Sequence, residues 1–486
     1  MNKRKFLMGI DIGTTKLKAA LLDYNCKIIA VEGMDLTLKS PSPGIAEIDP
    51  ELWWKATKKI IGNIIRKSSI TPQQITGIGL SSQGISFTLV DEKGRVLYPA
   101  ISWLDTRAKN EVDFIRAKFT DKTIYHITGK RINPCYVLPK ILWLKRNQKD
   151  AFKKTYKFLM SKDYLIFKMT GNFITDHTLA GGTLLYDIKK TDWSDDVLKA
   201  FSLPEGLLPE IKWSTESAGS LTTSAASYLG LVPGIPVTVG GQDQKCAAFA
   251  AGVGKKRVTI SLGTASAITV LLSKPLIDRR QRIPTFPFVI KDRWVFEGVV
   301  TTSCANIEWL KGILGFEDKD IEDYLSKSSL MEGLFFYPHL QGSGSPHWNS
   351  AQKGIIYGLN LSISKTDIIR SAIEGITFEI RENIETIETI IGKIKDVILF
   401  GGGSKNRQWQ KIIANVLGKD IIVSETPETA VYGAGILAGL NLGIYNSVPL
   451  GEDRVIKYNR LLSREYNLLY KRYRKIEEYL LNGGLS

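Results

Sequence analysis

Apolar runs closed by glycine and threonine alternate with stretches of helical period along most of the chain. Phe6–Ile12 and Lys16–Asp23 read as two strands joined by the turn Gly13-Thr14-Thr15. Asp49-Pro50 opens a helix, with Asp49 as its cap and Pro50 at the first helical position, where a missing N–H is harmless. Ile75–Leu80 and Thr88–Val90 read as further strands, Asp105 as the cap of a helix running toward Lys118, and Val137–Leu144 as a helix kinked at Pro139. Val237 to Gly241 reads as a strand running into a helix of small residues, with Asp243 at the turn between them.

A second beginning lies near residue 257. Arg257–Leu262 and Ser266–Leu272 repeat the strand–turn–strand pattern, and Ile10-Asp11-Ile12-Gly13-Thr14 aligns with Ile260-Ser261-Leu262-Gly263-Thr264. A repeat this distant predicts two related α/β domains rather than a solenoid, whose period would be about 20–50 residues. Ala251-Gly-Val-Gly-Lys-Lys256 is the expected hinge, giving domains 1–252 and 253–486. Two domains also suit a 486-residue chain, because a single core seldom grows past roughly 250–300 residues. The tail from Ile456 to Leu481 has apolar positions Leu461, Leu462, Leu468, Leu469, Tyr473, Ile476 and Tyr479. These predict an amphipathic helix packed on the second domain rather than on a membrane surface.

Composition narrows the class. No apolar run reaches the ~18 residues of a membrane span. The apolar start is too short for a secretion signal, so a cytoplasmic protein without a membrane partner is expected. The formal net charge is +16, but the lysines are spread without a basic block, so nucleic acid is not the expected partner. Cys26, Cys135, Cys246 and Cys304 form no CxxC pair, and the four histidines lack ligand spacing.

Three turns and two acids carry candidate chemistry. The hairpin turn at Gly13 can aim backbone N–H groups at an anion, with Thr14 and Thr15 adding hydroxyls. Asp11, at the strand end, suits Mg²⁺, which takes oxygen ligands. The matching turn at Gly263-Thr264 would face it across a cleft and share a triphosphate. Gly401-Gly402-Gly403, between a strand and a helix, offers exposed backbone to a phosphate or a flat ring, or simply close packing. Asp243 is either a helix cap or a general base for a hydroxyl nucleophile.

These elements, with Glu47-x-Asp49-Pro50-Glu51-x-Trp53-Trp54, Trp103-x-Asp105-x-Arg107, Lys162-Asp163-Tyr164, Gly240-Gly241-Gln242-Asp243 and Gly354-x-Ile356-x-Gly358-Leu359, resemble the FGGY carbohydrate kinases across nearly the whole chain. The resemblance implies two ribonuclease H-like (actin-like ATPase) domains around a catalytic cleft. It implies ATP and Mg²⁺ acting on a small sugar or polyol. Asp243 would be the base and Asp11 would lie at the metal. Thr14, Thr15, Gly263 and Thr264 would lie at the phosphates, and Gly401, Gly402 and Asn406 near adenosine. Gln83, Trp103, Asp105, Arg107 and Gln244 would face the sugar. Homodimers are common in such kinases. Gln83-Gly84-Ile85-Ser86 departs from the Gln-Met-His-Gly of xylulokinases and the Gln-Arg-Glu-Thr of glycerol kinases, which implies a roomier, less polar wall. Gly342-Ser343-Gly344-Ser345-Pro346-His347 likewise lacks the usual Glu-Arg pair. Xylulose is the first expectation; another ketose, a polyol, a sugar acid such as gluconate, or a non-catalytic ATP-binding role are the alternatives.

Overall fold

This computed structural model describes residues 4–327, 330–447 and 453–482. Its first sheet is built from β1 (Phe6–Ile12), β2 (Lys16–Asp23) and β3 (Ile28–Asp35), then, after helix α1 (Pro50–Ser68), from β4 (Ile75–Ser82), β5 (Ser217–Ser220) and β6 (Pro236–Gln242). The strand order is β5-β6-β4-β1-β2-β3. β1, β2 and β3 form an antiparallel meander, while β4 runs parallel to β1 and β6 parallel to β4. Asp49 caps α1, its Oδ1 accepting from the Glu51 N–H at 3.0 Å, and Pro50 occupies the first helical position.

After β6 the chain forms α2 (Asp243–Ala250) and then repeats the plan. β7 (Arg257–Leu262), β8 (Ser266–Leu272), β9 (Thr285–Pro287) and β10 (Trp294–Val300) are followed by α3 (Lys365–Ile391), β11 (Asp396–Phe400), α4 (Arg407–Leu417), β12 (Ile421–Ser424), α5 (Thr429–Asn441), β13 (Asp453–Ile456) and α6 (Arg460–Asn482). The order is β9-β10-β8-β7-β11-β12-β13, again a three-stranded antiparallel set followed by two parallel strands. The repeat at the two glycine–threonine turns is therefore a repeat of whole sheets, and the fold is two-domain α/β.

Two helices that leave equivalent strands, α2 after β6 and α5 after β12, pack on each other between the sheets. Ala247 of α2 and Ala251 just after it pack on Ile398 and Phe400 of the second sheet. α5 lies on the first sheet although it comes late in sequence, and its backbone approaches closely. A Cβ on Gly9 would stand 2.1 Å from the Val431 oxygen, and one on Gly79 would stand 1.9 Å from the Ala434 oxygen. Glycine is required at both because backbone, not a movable side chain, fills the space.

Three expectations are corrected. The helix after Asp105 spans Lys109–Arg116, so Asp105 does not cap it. Pro139 sits in the first turn of Val137–Asn147, where an N–H has no intrahelical partner to lose, rather than at a kink. α6 docks on the second lobe through the expected Leu469 and Tyr473, but with Tyr466 and Tyr470 beside them, while Leu461, Leu462, Leu468 and Tyr479 stay exposed.

The inner face of α6 carries charge. Tyr473 donates to Glu379 at 2.9 Å, His339 Nε2 lies 3.3 Å from Glu477 and 3.9 Å from Glu379, and His347 Nε2 lies 2.9 Å from Glu382. Arg474 pairs with Glu382 and, at 2.7 Å, with Glu477. Three carboxylates thus face one guanidinium and two imidazoles. The histidines, which sequence spacing left unpartnered, have metal-like neighbours here, but Arg474 and the two imidazoles can balance the acids without an ion.

Burial lowers the proton affinity of both histidines, and the glutamates reverse this, so each is held above its ordinary value. Burial and the Glu477 charge push Glu379 up to about 7. All three groups bind protons more tightly folded than unfolded, so their stabilisation is present at low pH and is lost as pH rises. For Glu379 the loss runs from the ordinary carboxylate value to about 7, and for the histidines it begins above about 6.5. Melting temperature is expected to fall by a few degrees between about pH 6 and 9, and His339→Gln to flatten that slope, as scanning calorimetry can check.

Candidate active site

The turn after β1 is tight: Gly13 N–H donates to the Lys16 oxygen at 2.9 Å, and a Cβ on Gly13 would stand 2.7 Å from that oxygen. The turn presents Thr14, half-buried, and Thr15, exposed. The Trp103 indole N–H reaches across to Thr14 Oγ1 at 2.9 Å. Asp11 closes β1. Its Oδ1 is enclosed and has no hydrogen-bond partner among the described residues. Burial pushes its carboxyl up to about 6 against the pull of Ser81 and Lys18.

Asp243 is the first residue of α2, and β6 delivers it by a route only glycine permits. Gly240 has φ +71° and passes so close to β4 that a Cβ would stand 1.7 Å from the Leu80 oxygen. The next residues are tied to a buried polar cluster. Gln242 N–H donates to Thr178 Oγ1 at 2.8 Å, and Asp176 accepts from the Thr178 N–H at 2.7 Å and from Ser214 at 3.2 Å. Lys162, itself enclosed, lies 2.9 Å from Asp163 and 3.0 Å from Asp176. Such a network fixes a backbone because each member left unpaired would be costly. Asp243 accepts from the Gln244 N–H at 2.7 Å. Burial first, and the charge of Asp11 second, push its carboxyl up to about 7. Asp11 and Asp243, both partly buried, therefore lie close enough for the charge of one to bear on the other.

The second turn is built differently. Ser303, Cys304 and Ala305 at the start of helix Cys304–Leu314 donate their N–H groups to the carbonyls of Gly263 and Thr264 at 2.9–3.2 Å. β11 ends against the same turn. Gly401 has φ +96° and would set a Cβ 2.7 Å from the Leu262 oxygen, Gly403 would set one 2.9 Å from Cys304 Sγ, and Gly402 meets nothing within 4 Å. Gly402 is thus the open backbone of the loop, while its neighbours seat it on the second turn. Asn406 caps α4, its Oδ1 accepting from the Trp409 N–H at 2.9 Å, which leaves its Nδ2 as the group able to reach a ligand.

On the expected sugar side, Gln83 is enclosed, and Gln83, Gln242 and Gln244 each carry a buried Oε1 without a hydrogen-bond partner among the described residues. Trp103 is 38% exposed. Asp105 and Arg107, expected on the same side, are bonded within the protein. Asp105 has no exposure and accepts from Ala46 N–H at 2.7 Å and from the Arg107 side chain at 2.7–3.0 Å. Arg107 also reaches Glu47 at 2.7 Å and the Tyr98 hydroxyl at 3.0 Å and stacks on Trp143. These partners hold the pair in place beside the Trp103 loop. The roomier wall expected at Gly84 is corrected too: the Gln242 amide occupies that space, 2.8 Å from where a Cβ would stand. Gln242, not singled out by the sequence reading though it sits inside the quoted Gly-Gly-Gln-Asp run, joins the candidate residues through its unpartnered Oε1.

Comparison with known proteins places the chain in a family. The family model described as the N-terminal domain of the FGGY family of carbohydrate kinases matches residues 6–250, and that of the C-terminal domain matches residues 258–442. The xylulose kinase of Staphylococcus xylosus is 28% identical over 482 residues, covering 97% of this chain and 99% of that protein. Among solved structures, a xyloylose kinase from Brucella ovis is 28% identical with a TM-score of 0.91, over 98% of this chain and 99% of that one. A gluconate kinase from Lactobacillus acidophilus is 25% identical with a TM-score of 0.92, over 100% of both chains. Since the two domain descriptions of a single family account for the chain from β1 to the end of α5, it belongs to the FGGY family of carbohydrate kinases and is a sugar kinase.

Proposed function

We propose that this sugar kinase transfers the terminal phosphoryl group of ATP to a hydroxyl of a pentulose, xylulose in the first instance, with Asp243 as the general base. The reading is supported by the pair Asp11 and Asp243, close enough for the charge of Asp11 to act on Asp243, with both carboxyls pushed upward. A sugar hydroxyl is a weak nucleophile. Asp243 takes its proton as the new O–P bond forms and ADP departs with the old one, and a base with pKa near neutrality is well matched to that task. Backbone N–H groups and hydroxyls at Gly13–Thr15 and Gly263–Thr264 hold the phosphates, Gly401, Gly402 and Asn406 lie toward adenosine, and the amides of Gln83, Gln242 and Gln244 suit a polyhydroxylated ligand.

The donor set also fits Mg²⁺. Asp11 offers an enclosed carboxylate oxygen without a partner among the described residues, beside a second carboxylate, where an oxygen-seeking dication relieves both. Bound there, Mg²⁺ would neutralise charge on the phosphates.

Xylulose is favoured by the relatives named xylulose kinase, which match nearly end to end at 28–29% identity. The gluconate kinase of equal fold similarity makes a sugar acid the second reading. ADP release measured over a panel of xylulose, ribulose, erythritol, glycerol and gluconate decides between them. Xylulose is expected to give the highest kcat/KM. A preference for gluconate would transfer the assignment to the second reading, and no stimulation by any member would remove both.

A further inference from the structure

Two residues beyond Asp243, on the first turn of α2, stands Lys245, with no solvent exposure. Its Nζ donates to Glu297 Oε1 at 2.8 Å and lies 3.7 Å from the centre of the Phe286 ring. Glu297 belongs to β10 and Phe286 to β9, both in the second lobe. The second oxygen of Glu297 is enclosed without a hydrogen-bond partner among the described residues. Lys130 of the first lobe lies 3.9 Å from the same ring and donates to the Thr285 oxygen at 2.8 Å. Tyr125 and Arg131 hold the same strand region through the oxygens of Ile283, at 2.5 Å, and Gln281, at 2.7 Å. The compartment is thus closed by both lobes, and Lys245 is its link to the acid-bearing helix.

An enclosed ion pair adds little net stability, but removing one partner strands a charge. Its value here is directional. The pair fixes the start of α2, and so Asp243, relative to the sheet that carries the second phosphate turn. We propose that Lys245 is a positioning residue for the transfer: its ion pair with Glu297 sets the Asp243 carboxylate against the phosphoryl group held by the second lobe. The proposal rests on the reading of Asp243 as base. Neither Lys245 nor Glu297 touches the reacting atoms in this account. The expected cost of losing the pair is therefore a misplaced base, with binding of either substrate largely retained, and displacements near 1 Å can cost about 10²-fold in rate.

The test is steady-state kinetics on Lys245→Met, Lys245→Met/Glu297→Gln, Lys130→Met and Asp243→Asn, all assayed well below their melting temperatures. Lys245→Met is expected to lower kcat about 10–100-fold with both KM values within about 3-fold. The double variant, which strands no charge, is expected to recover part of that loss and also to fold where the single variant does not. Lys130→Met, equally enclosed but bonded to carbonyls, is expected to change melting temperature and leave kcat near wild type. If Lys245→Met keeps wild-type kcat while Asp243→Asn is inactive, the positioning role is overturned and the base stands. If Lys130→Met loses as much kcat as Lys245→Met, the effect is general packing and the proposal falls. An active Asp243→Asn would instead overturn the base itself.

Discussion

Replacing Asp243 by asparagine is expected to lower kcat by about 10²–10⁴-fold, the usual contribution of a general base, while ATP affinity stays within a few-fold. The amide is nearly isosteric and its oxygen can still accept the Gln244 N–H, so the start of α2 has no reason to move. What is lost is a group able to take a proton. The wild-type pH profile carries a second signature. Because burial and Asp11 push Asp243 up to about 7, kcat/KM is expected to decline as pH falls through that region, where the base becomes protonated. The residual activity of the variant should lack this limb. Stopped-time ADP assays across pH, with nucleotide binding by calorimetry, check both parts; near-wild-type turnover would reduce Asp243 to a turn residue.

Gly79→Ala is expected to cost about 3 kcal/mol or more, and on the order of 10 °C in Tm. Its added methyl would stand 1.9 Å from the Ala434 oxygen and 3.3 Å from the Ala438 Cβ, so the obstacle is the backbone of α5. A helix cannot yield as a side-chain tip can; it must retreat, and its neighbour contacts open with it. α5 touches the first sheet again at Gly9, and at Gly433 a Cβ would stand 2.3 Å from the Cys246 oxygen of α2. The damage therefore reaches the helix that begins with Asp243, and kcat should fall with stability. Gly62→Ala is the control. That glycine lies on the exposed side of α1 with nothing within 4 Å of its added carbon, and alanine there should hold or raise Tm. Thermal denaturation of the three proteins side by side measures the contrast.

The sequence revealed what is local and hid what is not. β1, β2, β7 and β8 were readable to the residue because each is an apolar run bounded by a charged residue or a glycine–threonine turn. The Asp49-Pro50 helix start was equally plain. α5 was not, because glycines at Gly433, Gly435 and Gly439 weaken a helical pattern; their purpose appears only once α2, β2 and β1 lie against them. In α6 the apolar period suggested Leu468 and Tyr479 as core, but tyrosine hydroxyls and Glu477 found buried partners on α3 and its neighbours instead. Resemblance set Asp105 and Arg107 toward the sugar, but their bonds to Ala46, Glu47 and Tyr98 join distant parts of the chain and were not legible in the sequence. Lys245 in a run of small residues was a signal that could have been used; its partner, Glu297, lies 52 residues away and could not.

The most direct test of the central claim is a crystal structure of the enzyme with its preferred sugar and a non-hydrolysable ATP analogue. The account predicts the accepting hydroxyl within about 2.6–3.2 Å of an Asp243 oxygen, on the side facing the terminal phosphate, with Asp11 beside the metal. A terminal phosphate approached from elsewhere, with the Asp243 carboxylate out of hydrogen-bond reach of every sugar hydroxyl, would contradict it.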